Sequence, residues 1–245
     1  MSNATDRFNA EAAAWDSNPD VQLASTLGFQ SLLAKIPWLE KENPGLDVLE
    51  IGCGTGILSL MVSPYVRSLT GVDVAEGMIT ALKLKLSQPE NAWAKNILPV
   101  YADLKDPDDE RLRPDPLHPN QKDLGPRRFD LVISHLVLHH IPSLEDILKT
   151  MLGCLNSGGA ITLIDYEDFG PEARKFHPEA KMEGVHRHGI SREDIKKLIE
   201  DAGFVKVRIE TAFVMEKDVE DKPGEGVVKG NKMSFPFLIC MAEKQ

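Results

Sequence analysis

The stretch Leu46–Gly56 reads LDVLEIGCGTG and is the part of the chain that decides the fold. Its first part, Asp47–Ile51, is a short apolar run with a β-branched bias, which is typical of a buried parallel strand. Three glycines follow at alternate positions, and the apolar run Ile57–Val62 then has the composition of a helix start. A strand that turns through glycines into a helix lets a ligand approach the backbone closely and directs free N–H groups at it.

The spacing of these glycines separates two classes of nucleotide-binding loop. A dinucleotide-binding loop has the pattern G-x-G-x-x-G, whereas the third glycine here comes one residue early. A nicotinamide-dependent oxidoreductase is therefore disfavoured. Asp73 ends the next apolar strand, 21 residues after Gly52, and an acid at about this distance can accept both ribose hydroxyls of an adenosine ligand. The alternative role for Asp73 is to cap the following helix.

With Glu50 two residues before the first glycine, the loop has the pattern E-x-G-x-G-x-G. This pattern resembles the cofactor loop of class I S-adenosylmethionine-dependent methyltransferases. The segment from Phe129 to His140, FDLVISHLVLHH, is similar to the corresponding segment of small-molecule methyltransferases related to the ubiquinone and menaquinone enzymes. The resemblance implies an α/β fold, Rossmann-like, with a seven-stranded, mostly parallel sheet, a reversed last strand and helices on both faces.

The resemblance also implies S-adenosylmethionine as the cofactor and a set of residues that contact it. Met78 could lie against the adenine, although a methionine on a helix face is more often packed in the core. Asp103 and Leu104 match the positions at which the family binds the adenine ring. The full set of expected cofactor contacts is Glu50, Gly52, Cys53, Gly54, Gly56, Asp73, Val74, Met78, Asp103, Leu104, Ser134 and His135.

Histidines are the candidates for a catalytic base, because imidazole accepts protons near neutral pH. His186 and His188 lie in the polar segment 166–189, which leaves the fifth strand on the side where ligands of open α/β sheets bind. His139, next to the fourth strand, is the third candidate. Each of them could instead be a structural, hydrogen-bonded residue. A metal site made of His177, His186 and His188 matches no familiar zinc spacing, so no metal site is predicted.

Two segments flank or interrupt the methyltransferase domain predicted over residues 41–245. Residues 1–40 are predicted to form two helices, over 5–16 and from Asp20 to Lys35, and the first carries Phe8 and Trp15 on one face. This helix either docks on the core or closes the site as a lid. Residues 105–128 contain five prolines and no periodicity, which predicts a surface loop without a chemical role.

The composition indicates a cytoplasmic globular protein. The net charge of −10 argues against a nucleic-acid partner, and no apolar stretch has the length of a membrane span. Three widely separated cysteines suit a reducing compartment. The expected function is methyl transfer from S-adenosylmethionine to a small-molecule acceptor at O, N, S or C. The alternative is a regulatory or partner subunit that binds S-adenosylmethionine without turnover.

Overall fold

The computed structural model describes residues 3–39, 45–118 and 125–245, which form a three-layer α/β structure. The boundary predicted at residues 40 and 41 lies outside the described residues. The strands are β1 (Asp47–Ile51), β2 (Ser68–Asp73), β3 (Ile97–Tyr101), β4 (Phe129–His135), β5 (Leu155–Tyr166), β6 (Val205–Glu220) and β7 (Val227–Glu243). The helices are α1 (Asn3–Glu11), α2 (Pro19–Lys35), α3 (Ile57–Val62), α4 (Glu76–Leu86), α5 (Leu144–Cys154) and α6 (Arg192–Asp201).

The seven strands form one sheet in the order β3-β2-β1-β4-β5-β7-β6. Strands β1 to β5 pair in parallel, and β7 pairs antiparallel with both β5 and β6. The chain order reverses between β1 and β4, so a crevice for ligands lies at the C-terminal ends of these two strands. The predicted fold class, with its reversed last strand, is confirmed.

Two apolar clusters cover the two faces of the sheet. One contains the buried side chains of α5 and α6, and the other those of α2 and α3. The middle strands are apolar throughout because both of their faces are covered: β4 buries Leu131, Val132 and Ile133 almost completely. Among the described residues, none of the helices combines the length and the hydropathy needed to cross a bilayer.

The helix predicted over 5–16 differs in detail, because it ends at Glu11 and continues as a 3₁₀ helix over Ala12–Ser17. The strand β5 begins at Leu155, directly after α5. The strands β6 and β7 are long, and their outer halves pair with each other beyond the sheet as a two-stranded ribbon, from Met215–Phe235 to Glu220–Val227.

The described part of segment 105–128 is attached to the sheet rather than projecting from it. Leu112 is buried in the core, and Asp115 forms an ion pair with Arg67. Arg127 contacts Asp47, at the N-terminal end of β1. These ion pairs hold Asp115 and Arg127 at the N-terminal ends of β1 and β2, the end of the sheet opposite the glycine loop.

Candidate active site

The glycine loop follows β1, and one side of it packs against protein whereas the other is open. Gly52, Gly54 and Gly56 all have positive φ values, of 75°, 52° and 80°. A Cβ atom on Gly52 would lie 2.2 Å from Val137, and one on Gly56 would lie 2.3 Å from Leu82, so these two glycines are packed against protein. Gly54 differs, because its nearest neighbour would be Nε1 of Trp15 at 3.9 Å. The loop is thus open to a ligand at Gly54.

Asp73, at the end of β2, holds this loop in place. Its Oδ2 accepts a hydrogen bond from the backbone N–H of Gly54 at 2.9 Å, and its Oδ1 accepts one from that of Ala75 at 2.8 Å. Burial raises the pKa of the carboxyl, although these hydrogen bonds act in the opposite direction. A carboxylate has about four acceptor positions, so one remains for a hydroxyl group beside the backbone hydrogen bonds from Gly54, Ala75 and Val74. The two roles considered for Asp73, ligand binding and backbone capping, are therefore compatible.

We expect Asp73→Ala to weaken the binding of S-adenosylhomocysteine at least about tenfold, because a hydrogen bond to a charged group contributes about 1.5–3 kcal/mol. Asp73→Asn keeps one acceptor oxygen and should lose less affinity. Calorimetric titration of both variants measures the difference. A change of less than about twofold in the alanine variant would show that another residue binds the ribose.

Glu50 is only 2% exposed and lies under α3, where its carboxyl accepts a hydrogen bond from Ser59. Burial raises its pKa to about 8, the Ser59 hydrogen bond opposes this rise, and the charge of Asp73 adds to it. In this structure the carboxyl thus interacts with the protein interior. Its contribution to the predicted cofactor site is the support of the loop from below.

The raised pKa of Glu50 makes the stability of the fold depend on pH. Between the ordinary glutamate pKa and about 8, the unfolded chain ionises Glu50 and the folded chain does not, so the free energy of unfolding falls as pH rises. The expected slope is about 1.4 kcal/mol per pH unit. Glu50→Gln should remove this slope, which urea titrations at pH 5 to 8 would detect. The same substitution at Glu225, on an exposed turn, should leave it unchanged.

The other expected cofactor residues lie around this crevice in different environments. Val74 is 45% exposed, and Met78 is buried against Ala12, with Phe8 and Trp15 next to it. Asp103 is exposed and forms an ion pair with Lys105. The remaining residues have their side chains turned into the protein: Cys53 and Leu104 are buried, Ser134 donates a hydrogen bond to the carbonyl of Ile51, and the His135 ring packs against Gly28 of α2. Burial lowers the pKa of His135 to about 4.

His139 is paired with an acid at the C-terminal end of β5. Its Nδ1 lies 2.8 Å from Oδ1 of Asp165, and its backbone N–H donates to Oδ2 of the same carboxylate at 3.1 Å. Both side chains are about 1% exposed. Burial alone would raise the pKa of Asp165, but the charge and hydrogen bonds of His139 hold it below its ordinary value. Asp165 therefore fixes the orientation of the imidazole and leaves Nε2 without a partner.

Two further histidine rings contact His139. The ring centroid of His140 lies 4.0 Å from that of His139, and the ring centroid of His177 lies 5.0 Å from it. Nδ1 of His140 is bonded to the carbonyl of Gly184 at 2.8 Å. Burial lowers the pKa of His140 to about 3 and that of His177 well below its usual range, so both rings are neutral at pH 7. We call His139, His140 and His177 the histidine cluster.

His186 and His188 lie in the segment that folds back over the end of β4. The backbone N–H of His186 donates to the carbonyl of His139 at 2.9 Å, but its side chain is exposed. His188 is half-buried, and its Nδ1 is buried without a partner. Arg187 holds the segment in place by donating to the carbonyls of Leu138 and Ile141. These bonds place this part of the segment beside the turn that carries His139, and its predicted role at the ligand-binding side stays a prediction.

Sequence reasoning missed Asp165 as a functional residue and the clustering of His140 and His177. Asp165 carried a usable signal, because it stands near the end of β5 as Asp73 stands at the end of β2. The histidines carried a weaker signal. Of the set considered for a metal site in the sequence, only His177 belongs to the cluster.

The N-terminal segment covers both the glycine loop and the histidine cluster. The Phe8 ring lies edge-on to His140 at a centroid distance of 5.1 Å, and Oδ1 of Asn9 accepts a hydrogen bond from the backbone of Gly77 at 2.7 Å. Asp16 accepts a hydrogen bond from Thr55 and forms an ion pair with Lys85. These contacts place the segment at the crevice, and its packing on Met78 leaves both predicted roles, docking on the core and closing the site, open.

The residues at the crevice fit S-adenosylmethionine in two respects. Gly54 presents open space where a side chain would obstruct a ligand, and Asp73 retains an acceptor position for a ribose hydroxyl. Behind the loop, the histidine cluster lies near the ends of β4 and β5, with His139 buried and the other two rings half-buried. The predicted cofactor residues and the histidine cluster thus lie at the same end of the sheet.

Comparison with known proteins identifies the family. Residues 26–209 match the family model described as a methyltransferase domain. An uncharacterized methyltransferase of Schizosaccharomyces pombe is 23% identical over 174 residues, which cover 69% of this chain and 56% of that protein. The malonyl-[acyl-carrier protein] O-methyltransferase of Bacillus anthracis is 24% identical over 168 residues, covering 68% and 52%. The chain thus spans about half the length of these curated relatives.

Solved structures share the fold. A methyltransferase from Thermotoga maritima superposes with a TM-score of 0.58 at 16% identity and covers 99% of both chains. The magnesium protoporphyrin IX methyltransferase of Synechocystis PCC 6803, solved with bound S-adenosylhomocysteine, gives a TM-score of 0.56 at 19% identity, covering 91% of this chain and 83% of that one. The chain belongs to the methyltransferase-domain family, with the class I fold and the S-adenosylmethionine cofactor that its glycine loop predicted.

Proposed function

We propose that this chain transfers the methyl group of S-adenosylmethionine to a small-molecule acceptor held against His139. The observation that carries this proposal is the position of a buried His139–Asp165 pair beside a glycine loop that is open at Gly54. A protein that only bound the cofactor would need the loop but not an oriented imidazole without a partner at Nε2.

When bound, the cofactor would supply a methyl group on a positively charged sulfur, and in-line attack of the acceptor on the methyl carbon would break the carbon–sulfur bond and release S-adenosylhomocysteine. The chain's own contribution is mainly alignment, which can lower the barrier by about 7–11 kcal/mol. Gly54 and Asp73 hold one reactant from the loop side. The segment 166–189, which carries His186 and His188, forms a wall of the acceptor side.

An acceptor that loses a proton on attack needs a residue to receive it. When no metal ion is bound, His139 is the best suited of the three predicted candidates to accept this proton. The reason is that Asp165 fixes its tautomer and stabilises the imidazolium that forms. The side chain of His186 is exposed and that of His188 has no acid partner among the described residues. We therefore propose His139 as the base and the other two as residues of the acceptor pocket.

The N-terminal segment is proposed to act as the lid of this site. It packs Phe8, Ala12 and Trp15 against Met78 of α4, next to a few side-chain hydrogen bonds, so its opening would expose this small apolar cluster and leave the two main clusters of the sheet covered. Closure excludes water from the reacting groups and strengthens the electrostatic interactions between them. The proposed lid comprises α1 and the 3₁₀ helix Ala12–Ser17, because α2 packs on the sheet, and the division at residues 40 and 41 stays a prediction.

The test combines binding with turnover. The chain should bind S-adenosylhomocysteine in a calorimetric titration and methylate at least one compound of a panel. The panel should begin with hydroxyl and carboxyl acceptors, because the Bacillus anthracis relative and a Pseudomonas aeruginosa relative, 25% identical, are named O-methyltransferases, and should then include thiols and amines. Binding without any turnover would favour a regulatory or partner subunit. NADH binding in place of S-adenosylhomocysteine would contradict the proposal.

A further inference from the structure

The histidine cluster brings three imidazoles together from two parts of the chain. One ring nitrogen from each of His139, His140 and His177 lies within 4.8 Å of the other two. His139 and His140 come from the turn after β4, whereas His177 follows the 3₁₀ helix Pro171–Phe176. The ring of Phe8 packs edge-on against His140, and His139 is buried while the other two rings are half-buried.

The hydrogen bonds around the cluster fix which nitrogens are free. A carbonyl oxygen can only accept, so the contact with Gly184 places the hydrogen of His140 on Nδ1 and leaves Nε2 with a lone pair. The carboxylate of Asp165 does the same for His139. Two ring nitrogens in the cluster, Nε2 of His139 and Nδ1 of His177, are buried and have no partner. An unpaired buried polar atom costs about 1–3 kcal/mol, so a pair of them requires an explanation.

We propose that the histidine cluster binds a divalent transition-metal ion such as Zn²⁺. Neutral imidazoles suit Zn²⁺ and its neighbours in the first transition row. Three protein ligands leave a fourth coordination position open, as in catalytic zinc sites. Asp165, bonded to the opposite nitrogen of His139, is the carboxylate that commonly orients a ligating histidine.

The geometry requires a small contraction of the cluster. Zinc–nitrogen bonds of about 2.0–2.1 Å in a tetrahedron place the ligand nitrogens about 3.4 Å apart. The nitrogens here lie within 4.8 Å, so rotation of the rings by about an ångström at their tips brings them to that spacing. The ring of His139 is held by two contacts with Asp165 and that of His140 by the carbonyl of Gly184, so His177, whose Nδ1 has no partner, is the ring with most freedom to move.

The role of the open coordination position rests on the proposed function, because the methyl acceptor would bind there. An oxygen or sulfur of the methyl acceptor bound there would lose its proton to solvent more readily, because the ion stabilises the anion. In that form Nε2 of His139 is a ligand and no longer the proton acceptor. Metal dependence of turnover therefore separates the two ways in which His139 can act on the acceptor.

The experiment titrates Co²⁺ and Zn²⁺ into the chelator-treated chain. We expect one equivalent to bind, with the visible absorption bands of four-coordinate Co²⁺. Asp165→Asn, a positioning residue, should weaken the affinity about 10- to 100-fold, and His140→Ala or His177→Ala should weaken it further. His118→Ala is the matched control, because His118 is an exposed histidine away from the cluster, and its affinity should equal that of the unmodified chain.

Two results would overturn the inference. One is the absence of stoichiometric Co²⁺ or Zn²⁺ binding by the unmodified chain, an outcome that does not depend on the folding of any variant. The other is unchanged binding by the double variant His140→Ala, His177→Ala. S-adenosylhomocysteine affinity, measured on the same samples, distinguishes failure of the metal site from failure of the cofactor site.

Discussion

Gly54→Val is expected to abolish measurable binding of S-adenosylhomocysteine while the chain remains folded. The backbone at this position has φ of 52°, which costs a β-branched residue about 1–2 kcal/mol. The new side chain would enter the space between the loop and Trp15, where the only neighbour of a Cβ lies 3.9 Å away. That space is the open side of the loop, so the side chain and the ligand exclude each other. Calorimetry and circular dichroism measure the two outcomes.

The matched control is Gly224→Val, in the turn between β6 and β7. Gly224 also has a positive φ, of 83°, and a Cβ there would meet no atom within 4 Å. It therefore carries a similar backbone penalty without approaching the crevice. Full affinity in a folded Gly54→Val chain would contradict the assignment of this loop to the cofactor. Equal loss in both variants would show that backbone strain, rather than obstruction, causes the effect.

The loop conformation behind the predicted cofactor site was predictable because it is local in sequence. The glycine spacing follows from the backbone conformation at residues 52 to 56, and Asp73 follows from the end of a strand one crossover away. The sequence could not show that Asp73 binds Gly54 directly, since that contact depends on the register of β1 against β2. Nor could it show that Glu50 turns inward to Ser59.

The histidine cluster was not predictable in the same way, because its members meet only through tertiary structure. Asp165 reaches His139 because β4 and β5 are neighbours in the sheet. His177 reaches them because the segment after β5 folds back through the 3₁₀ helix Pro171–Phe176, whose Phe176 ring stacks on Tyr166. No periodic pattern encodes that return. The polar composition of the segment pointed to a ligand-binding wall, but it drew attention to His186, whose side chain is exposed.

The long hairpin shows a second limit of pattern reasoning. Its outer half mixes polar pairs such as Glu216–Ser234 and Asp218–Lys232 with the apolar side chains of Met233 and Val219, so neither strand shows a regular apolar alternation there. Val219 is buried at this end, and Glu220 accepts a hydrogen bond from the backbone N–H of Glu179. The ribbon thereby supports the segment that carries His177. The outer half of the β6–β7 hairpin, which the sequence indicates least clearly, therefore contacts the segment that contributes His177 to the cluster.

His139→Gln is expected to lower the rate of methyl transfer about 100- to 10,000-fold, the range for loss of a general acid or base, while S-adenosylhomocysteine affinity changes less than about twofold. Glutamine keeps a polar side chain of similar size but accepts no proton. Asp165→Asn should also lower the rate, because the amide no longer fixes the tautomer of His139 or stabilises its charged form. Single-turnover rates with a working acceptor measure both effects.

His118→Gln is the control for the loss of a histidine as such, and its rate should equal that of the unmodified chain, since the ring lies exposed beside Asp115. If His139→Gln keeps more than half of the rate, the proton passes to His186 or His188, or alignment alone drives the reaction. The rates of the alanine variants at these two positions then distinguish proton transfer to a histidine from catalysis by alignment alone. If Co²⁺ binding is lost together with the rate, His139 acts as a metal ligand; if the unmodified chain binds no metal, the same loss assigns it as the base, because Nε2 has no other partner.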